Sequence, residues 1–78
     1  MAKAFVLIET VVGKSREVVA ALRQLKGVES ADLVTGLYDV ITVVVGERLN
    51  DIGELVTGRI HPIAGISRTV TCLAMKAD

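Results

Sequence analysis

The chain has 78 residues, of which nine are basic and nine acidic, and its formal net charge is zero. This length fits one small domain over residues 1–78, and the lack of a Lys/Arg excess argues against charge-driven binding to nucleic acid or to a membrane. Apolar residues make up 51% of the chain but aromatic residues only 3%, so Val, Ile, Leu and Ala must form the core.

The first half of the chain predicts a strand, a helix and a second strand. A nearly continuous apolar run over 4–12 is typical of a strand that is buried on both faces. Ser15 is a suitable N-cap for a helix over 16–25, whose apolar side chains recur at helical spacing, and Gly27 follows as its stop. The mixed polar and apolar segment over 28–35 predicts a strand at a sheet edge.

The second half repeats this pattern. After a turn, the run over 40–45 predicts a second strongly apolar strand. A helix should begin after a cap at Asn50 or Asp51 and run to about residue 60, because Pro62 disfavours helical geometry in the residue before it. The segment 66–75 predicts a fourth strand.

The predicted order is βαββαβ, and an internal repeat supports it. Gly27-Val28 aligns with Gly65-Ile66, and the apolar segment at 5–7 aligns with that at 43–45. Two βαβ halves of this kind form the ferredoxin-like split motif, an α+β fold. Right-handed crossovers place both helices on one face of a four-stranded antiparallel sheet, with the first and third strands central.

Both faces of the central strands are apolar. Successive side chains of a strand point to opposite faces, and Phe5 and Leu7 alternate with Val6 and Ile8. Two helices can cover only one face, and the other would expose a larger patch than soluble monomers usually tolerate. We therefore expect a second copy of the chain to cover it in a dimeric α/β barrel-type assembly. The alternative is a monomeric sheet.

The sequence contains no pattern that is typical of an active site. It has no Gly-rich phosphate loop and no recognisable nucleophile set. His61 is expected to be structural or solvated, and Cys72 to be a small buried hydrophobe. One Cys and one His exclude an internal disulfide and a Cys/His zinc site. We expect no enzyme activity, no metal and no cofactor, and a cytoplasmic location, because the start has no signal-peptide layout.

The turn Gly36-Leu37-Tyr38-Asp39 is the strongest candidate for a binding site. A hairpin explains Gly36, which can supply a positive φ, and Asp39, which can close the turn. Tyr38 is left unexplained. A phenol, a carboxylate and exposed backbone groups in one turn suit a small zwitterionic ligand, with Asp39 facing its ammonium group.

Several stretches in register resemble the effector-binding domain of the Lrp/AsnC (feast/famine) regulators, often called the RAM domain. They are Ala4–Ile8, Leu25–Val28, Leu33–Asp39, Ile63–Ile66 and Ser67–Thr71. The resemblance runs from about Lys3 to Met75. The chain departs from the family at Ala64, where Pro is frequent, and it lacks the usual N-terminal helix-turn-helix. It therefore resembles the stand-alone RAM domains.

This resemblance implies dimers that pair through their sheet faces, rings of dimers, and amino-acid binding where dimers meet. Asp39 would hold the ligand's ammonium, and backbone amides and Thr hydroxyls would hold its carboxylate. Leu49 and Val70 would select among side chains, although these two and Leu33 are equally compatible with simple packing. The implied ligand-binding residues are Leu33, Thr35, Gly36, Tyr38, Asp39, Leu49, Thr69, Val70 and Thr71.

The sequence thus predicts a non-enzymatic, oligomeric module that binds an amino acid or a related metabolite. Its expected partners are further copies of itself and a full-length Lrp/AsnC regulator, which it would modulate by co-assembly, without direct contact with nucleic acid or a membrane. Two other classes remain open. One is an assembly module without a ligand, and the other is a small dimeric ferredoxin-like enzyme, for which His61 is the only obvious acid or base.

Overall fold

A computed structural model describes residues 1–75 and confirms the βαββαβ order. The second helix continues into a short π-helical segment. The elements are β1 (Ala2–Thr10), α1 (Ser15–Arg23), β2 (Val28–Leu33), β3 (Val40–Gly46), α2 (Leu49–Leu55), the π-helical segment (Val56–Ile60) and β4 (Ile66–Leu73).

The four strands form one antiparallel sheet in the order β2-β3-β1-β4. The two strongly apolar strands, β1 and β3, are therefore central, and β2 lies at an edge, as predicted. In the register of the sheet, Phe5 is opposite Val43 on one side and Cys72 on the other. This register decides which side chains share a face.

Both helices cover the same face, and the core lies between them and the sheet. The covered side chains of β1 are Val6 and Ile8, together with Ala4, and each is completely buried. Thr42 is the one buried polar side chain among the described residues, and its hydroxyl donates a hydrogen bond to the carbonyl of Ser30 at 2.6 Å. The core is otherwise aliphatic, and its remaining members are Val18, Val19, Leu22, Ala31, Val40, Val44, Ile52, Val56 and Ile60.

The two joints between a helix and the following strand are alike, which supports the internal repeat. Gly27 and Gly65 have φ of 96° and 99°. A Cβ at Gly65 would lie 2.9 Å from the Cβ of Lys14, so this joint requires glycine for space as well as for its backbone angle.

Element ends differ from the predictions by a few residues. Helix α1 begins at Ser15 with Lys14 as its N-cap, because the Ser15 hydroxyl is hydrogen-bonded to the Thr10 hydroxyl at 2.7 Å instead of capping the helix. Helix α2 begins at Leu49, two or three residues earlier than predicted from a cap at Asn50 or Asp51. There, Arg48 is the N-cap, and its backbone N–H donates to Asp51 Oδ2 at 3.0 Å.

Four elements end two residues earlier than predicted. Strand β1 stops at Thr10, helix α1 at Arg23, β2 at Leu33 and β4 at Leu73. No helix in residues 1–75 is long and apolar enough to cross a membrane.

Candidate functional site

The face of the sheet opposite the helices is uncovered in the protomer. Its apolar side chains form a contiguous patch across three strands. Phe5 at its centre is 39% exposed, Cys72 beside it is exposed, and the other members of the patch are half-buried. An ion pair between Arg68 and Glu9, at 3.1 Å, borders the patch. The other members of this open face are Leu7, Ile41, Val43, Val45, Val70 and Cys72.

Cys72 was expected to be buried, and in the protomer this is wrong. It is exposed, because β4 is an edge strand and Cys72 points to the open face beside Phe5. His61 is exposed too, and its Nε2 lies 3.1 Å from the Thr69 hydroxyl. Within residues 1–75, no group of three or more His, Cys, Asp or Glu side chains is placed to hold a metal ion.

The loop between β2 and β3 carries the candidate turn. Gly36 has φ of 124°, which is the positive angle expected for it. The loop is closed by a hydrogen bond from the Val34 N–H to the Asp39 carbonyl at 2.9 Å. Leu37 is 90% exposed at its tip, whereas Tyr38 is only partly exposed. The loop thus presents backbone groups and an apolar side chain to the surroundings.

Asp39 fastens this loop to the end of β1. Its Oδ2 accepts a hydrogen bond from the Thr10 N–H at 2.8 Å and a longer one from the Thr10 hydroxyl at 3.3 Å. The Thr10 hydroxyl is also hydrogen-bonded to the Ser15 hydroxyl at 2.7 Å, so the network extends to the start of α1. One carboxylate oxygen is therefore already used for structure, and a ligand's ammonium would have to bind mainly to Oδ1.

A groove lies between α2 and β4 and has a volume of about 350 Å³. None of its lining side chains is charged. Gly53 lies on its helical wall, and the Thr57 hydroxyl donates to the Gly53 carbonyl at 2.9 Å. The lining residues are Leu49, Ile52, Gly53, Val56, Thr57, Thr71 and Leu73. By contrast, the hollow between α1 and β2 contains Arg16 and Arg23.

The predicted ligand-binding residues lie in separate places within one protomer. The β2–β3 loop contains Thr35, Gly36, Tyr38 and Asp39. Leu33 lies in the hollow between α1 and β2. The other predicted residues lie on α2 and β4. Leu49 and Thr71 line the α2–β4 groove. Thr69 contacts His61, and Val70 lies on the open face opposite Leu7.

The distance between these places can be derived from the strand register. Thr71 pairs with Val6, and Asp39 is bonded to Thr10, four residues further along β1, so about 13 Å separates them at about 3.3 Å per residue. A single amino acid cannot contact both places in one protomer. It could do so only where two copies of the chain meet.

Sequence reasoning missed three residues that shape these sites. Thr10 was predicted only as part of the first strand and Ser15 as a helix cap, yet both belong to the Asp39 network. Gly53 was not singled out from the sequence, yet it lines the groove. The structure shows that a Cβ at Gly53 would meet nothing within 4 Å. Open space of this kind around a residue is not visible in a sequence.

Comparisons with known proteins agree with the fold. The family model for the Lrp/AsnC ligand binding domain matches residues 3–77. The crystal structure of FFRP-DM1 is 36% identical, with a TM-score of 0.91, over 96% of this chain and 100% of that one. The crystal structure of TTHA0845 from Thermus thermophilus is 32% identical, with a TM-score of 0.93, and the match covers 100% of this chain and 98% of that one. No curated protein matches the sequence.

A longer structure shares the fold. The transcriptional regulator NMB0573 from Neisseria meningitidis, solved in complex with L-Met, is 19% identical with a TM-score of 0.84. The match covers 96% of this chain and 50% of that one.

Proposed function

The chain belongs to the family of Lrp/AsnC ligand-binding domains, and from this premise we propose that it is a non-enzymatic, oligomeric module that binds an amino acid or a related metabolite. The family match over nearly the whole chain carries the effector-binding part of this proposal. The fold it shares with a regulator solved with L-Met is consistent with it. We further propose that it acts in the cytoplasm and modulates a full-length regulator of the same family by co-assembly.

The open sheet face supports self-association. Phe5 and Leu7 of β1 lie on this face, and each has an apolar partner on β3 and another on β4. A two-fold contact between two such faces would bury well over ~1,000 Å² in total, which is the range of specific interfaces. Each Å² of apolar surface removed from water stabilises the dimer by roughly 25 cal/mol. The loss of translational, rotational and side-chain freedom on association offsets part of this gain.

The separation of the predicted residues supports a ligand site between copies. The β2–β3 loop of one protomer offers Asp39 Oδ1 and exposed backbone groups, whereas Leu49 and Thr71 lie about 13 Å away in the groove. The groove opens on the helix-covered side of the sheet, since its Thr71 pairs with the buried Val6, so the sheet-face contact alone does not bring it to a partner's loop. We therefore propose that the loop of one copy meets the groove of another at a second contact, between dimers. Ligand binding and assembly are then linked, and each must strengthen the other.

One observation favours an assembly module without a ligand as the second candidate. The carboxylate of Asp39 is satisfied in part by Thr10, so the loop sequence has a structural explanation that needs no ligand. The two candidates differ in whether a small molecule stabilises the folded protein.

The test is a thermal-unfolding screen of the intact chain with each of the twenty amino acids, followed by calorimetric titration of any that raise the melting temperature. A ligand at about 100 times its Kd should stabilise the folded state by roughly 2.7 kcal/mol. If no amino acid binds with a Kd below about 1 mM, which corresponds to only roughly 4 kcal/mol, the assembly module replaces the effector-binding one.

A further inference from the structure

We propose that the hollow between α1 and β2 is a docking site for an acidic segment of a partner protein, in which an apolar side chain lies between two carboxylates. The hollow has a volume of about 330 Å³ and is lined by Arg16, Val19, Ala20, Arg23 and Leu33. It shares no lining residue with the α2–β4 groove or with the turn at 36–39. This docking site is therefore separate from the proposed contacts of the effector with Asp39 and with the groove.

Two guanidinium groups give the hollow its charge. Arg16 and Arg23 are seven residues apart on α1, so they lie on one face of the helix, about 10.5 Å apart along its axis. None of the lining residues is acidic. Arg16 forms no ion pair with any residue in 1–75, and the neighbouring Glu17 pairs with Lys14 at 3.4 Å instead. The positive charge of the hollow is thus not balanced by its own walls, and it suits two carboxylates.

Arg23 is held in place by the edge strand. Its Nε and Nη2 donate to the Ala31 carbonyl at 3.1 and 2.8 Å, which fixes one side of the guanidinium against β2. Within the described part of the chain, Nη1 has no hydrogen-bond partner. A carboxylate that binds Nη1 would therefore gain a charge-assisted hydrogen bond without breaking an existing one.

Asp32 does not fill this site from within the protomer. Its Oδ1 lies 3.9 Å from Arg23 Nη2, which is too long for a hydrogen bond. Both side chains are more than half exposed, and an ion pair of this kind contributes little. Asp32 also pairs with Ile41 in the sheet register, so it lies on the open face and not on the side of the hollow.

The surface between the arginines is apolar. Val19 lies at the bottom of the hollow and is 5% exposed, whereas Leu33 on the β2 side is 45% exposed. Ala20, whose side chain is short, leaves space between them. An apolar side chain of the partner would cover Leu33 and remove its surface from water. A purely charged segment would leave that surface exposed.

The spacing of the arginines defines the partner segment. An extended chain advances by about 3.3 Å per residue, so two carboxylates three residues apart span about 10 Å and match Arg16 and Arg23. An apolar residue at one of the two positions between them then faces Leu33. A small monocarboxylate would occupy only one end of the hollow, which is why a segment of a protein fits better.

The experiment measures the fluorescence anisotropy of a labelled peptide, Ser-Glu-Leu-Ala-Glu-Ser, titrated with the intact chain. Two control peptides carry Gln in place of both Glu residues, or Ser in place of Leu. The chain is compared with Arg16→Gln and with Arg59→Gln. Arg59 is a matched control, because it is exposed, forms no ion pair in residues 1–75 and lies outside this hollow. Circular dichroism checks that both variants are folded.

We expect the acidic peptide to bind at least about tenfold more tightly than the Gln peptide, because it loses two charge-assisted hydrogen bonds in that exchange. Arg16→Gln should weaken binding of the acidic peptide by at least about threefold, and Arg59→Gln by less than about twofold. Binding should also weaken at about 1 M salt, where the Debye length is about 3 Å. The Ser peptide should bind more weakly than the Leu peptide.

The opposite results overturn the docking site in distinct ways. If the acidic peptide does not bind, or binds no better than the Gln peptide, no acidic segment docks here. If Arg16→Gln and Arg59→Gln weaken binding equally, the peptide responds to net charge and not to this hollow. If the Ser peptide binds as tightly as the Leu peptide, the apolar contact with Leu33 is wrong. If Arg16→Gln lowers the molar mass of the peptide-free chain in light scattering, the hollow is a contact between copies of the chain.

Discussion

Replacing Asp39 with alanine removes the two hydrogen bonds that Thr10 donates to its carboxylate, one from the N–H at 2.8 Å and one from the hydroxyl at 3.3 Å. A hydrogen bond to a charged group contributes about 1.5–3 kcal/mol to stability. The longer bond adds little, because it is near the limit of useful geometry and the site is only partly buried. Asp39→Ala should therefore lower the free energy of unfolding by about 2 kcal/mol.

The expected change in melting temperature follows from the size of the chain. About 1 kcal/mol corresponds to roughly 4–8 °C in a domain of this length, so Asp39→Ala should unfold about 8–16 °C below the parent chain. Thermal unfolding followed by circular dichroism, without ligand, is the assay. Thr10→Val keeps the N–H and loses only the hydroxyl, so it should cause a smaller decrease. If Asp39→Ala unfolds at the same temperature as the parent, these hydrogen bonds do not stabilise the loop.

Asp39→Asn separates the structural role from the ligand-binding one. Its amide oxygen can still accept the Thr10 N–H, so the variant should retain most of the stability lost in Asp39→Ala. It lacks the negative charge that would attract an ammonium group, so ligand affinity should decrease in both variants. Full affinity in a stable Asp39→Asn protein would mean that Asp39 does not bind the ligand's ammonium.

Four further substitutions test other parts of the account. Leu7→Asp places a carboxylate on the open face and should give a folded monomer in light scattering, whereas Val6→Asp buries it under the helices and should abolish the cooperative unfolding transition. An assembled Leu7→Asp protein would refute the sheet-face contact. Gly36→Val should destabilise the chain by about 1–3 kcal/mol in urea unfolding, because φ is 124°. Gly65→Ala should do the same, since its Cβ would approach Lys14 to 2.9 Å; unchanged stability in either case would contradict the strain argument.

The sequence was sufficient for the elements whose signal is local. The apolar runs at 4–12 and 40–45 correctly predicted β1 and β3 as central strands, and both faces of these strands carry mainly apolar side chains, although only one face is covered in the protomer. The alternation of Val6 with Leu7 correctly placed them on opposite faces of the sheet, but it did not indicate which of the two faces the helices cover. Positive φ at Gly36 was predicted from the turn chemistry alone.

Contacts between distant parts of the chain were not predictable in this way. The bond between Asp39 and Thr10 joins residues 29 apart, and a sequence does not show which polar groups the sheet register brings together. Cys72 was assigned to the interior because cysteine is usually buried, but the edge position of β4 leaves it exposed. The dispersal of Asp39, Leu49 and Thr71 also follows from the register, which no local pattern reveals.

The most direct test of the central claim is the molar mass of the chain, measured by light scattering at micromolar concentration with a saturating amino acid. The account predicts a mass of at least two copies of the 8.3 kDa chain, because the open face needs a partner and the ligand site needs residues from two copies. A protein that binds the amino acid fully while remaining an 8.3 kDa monomer would contradict both arguments.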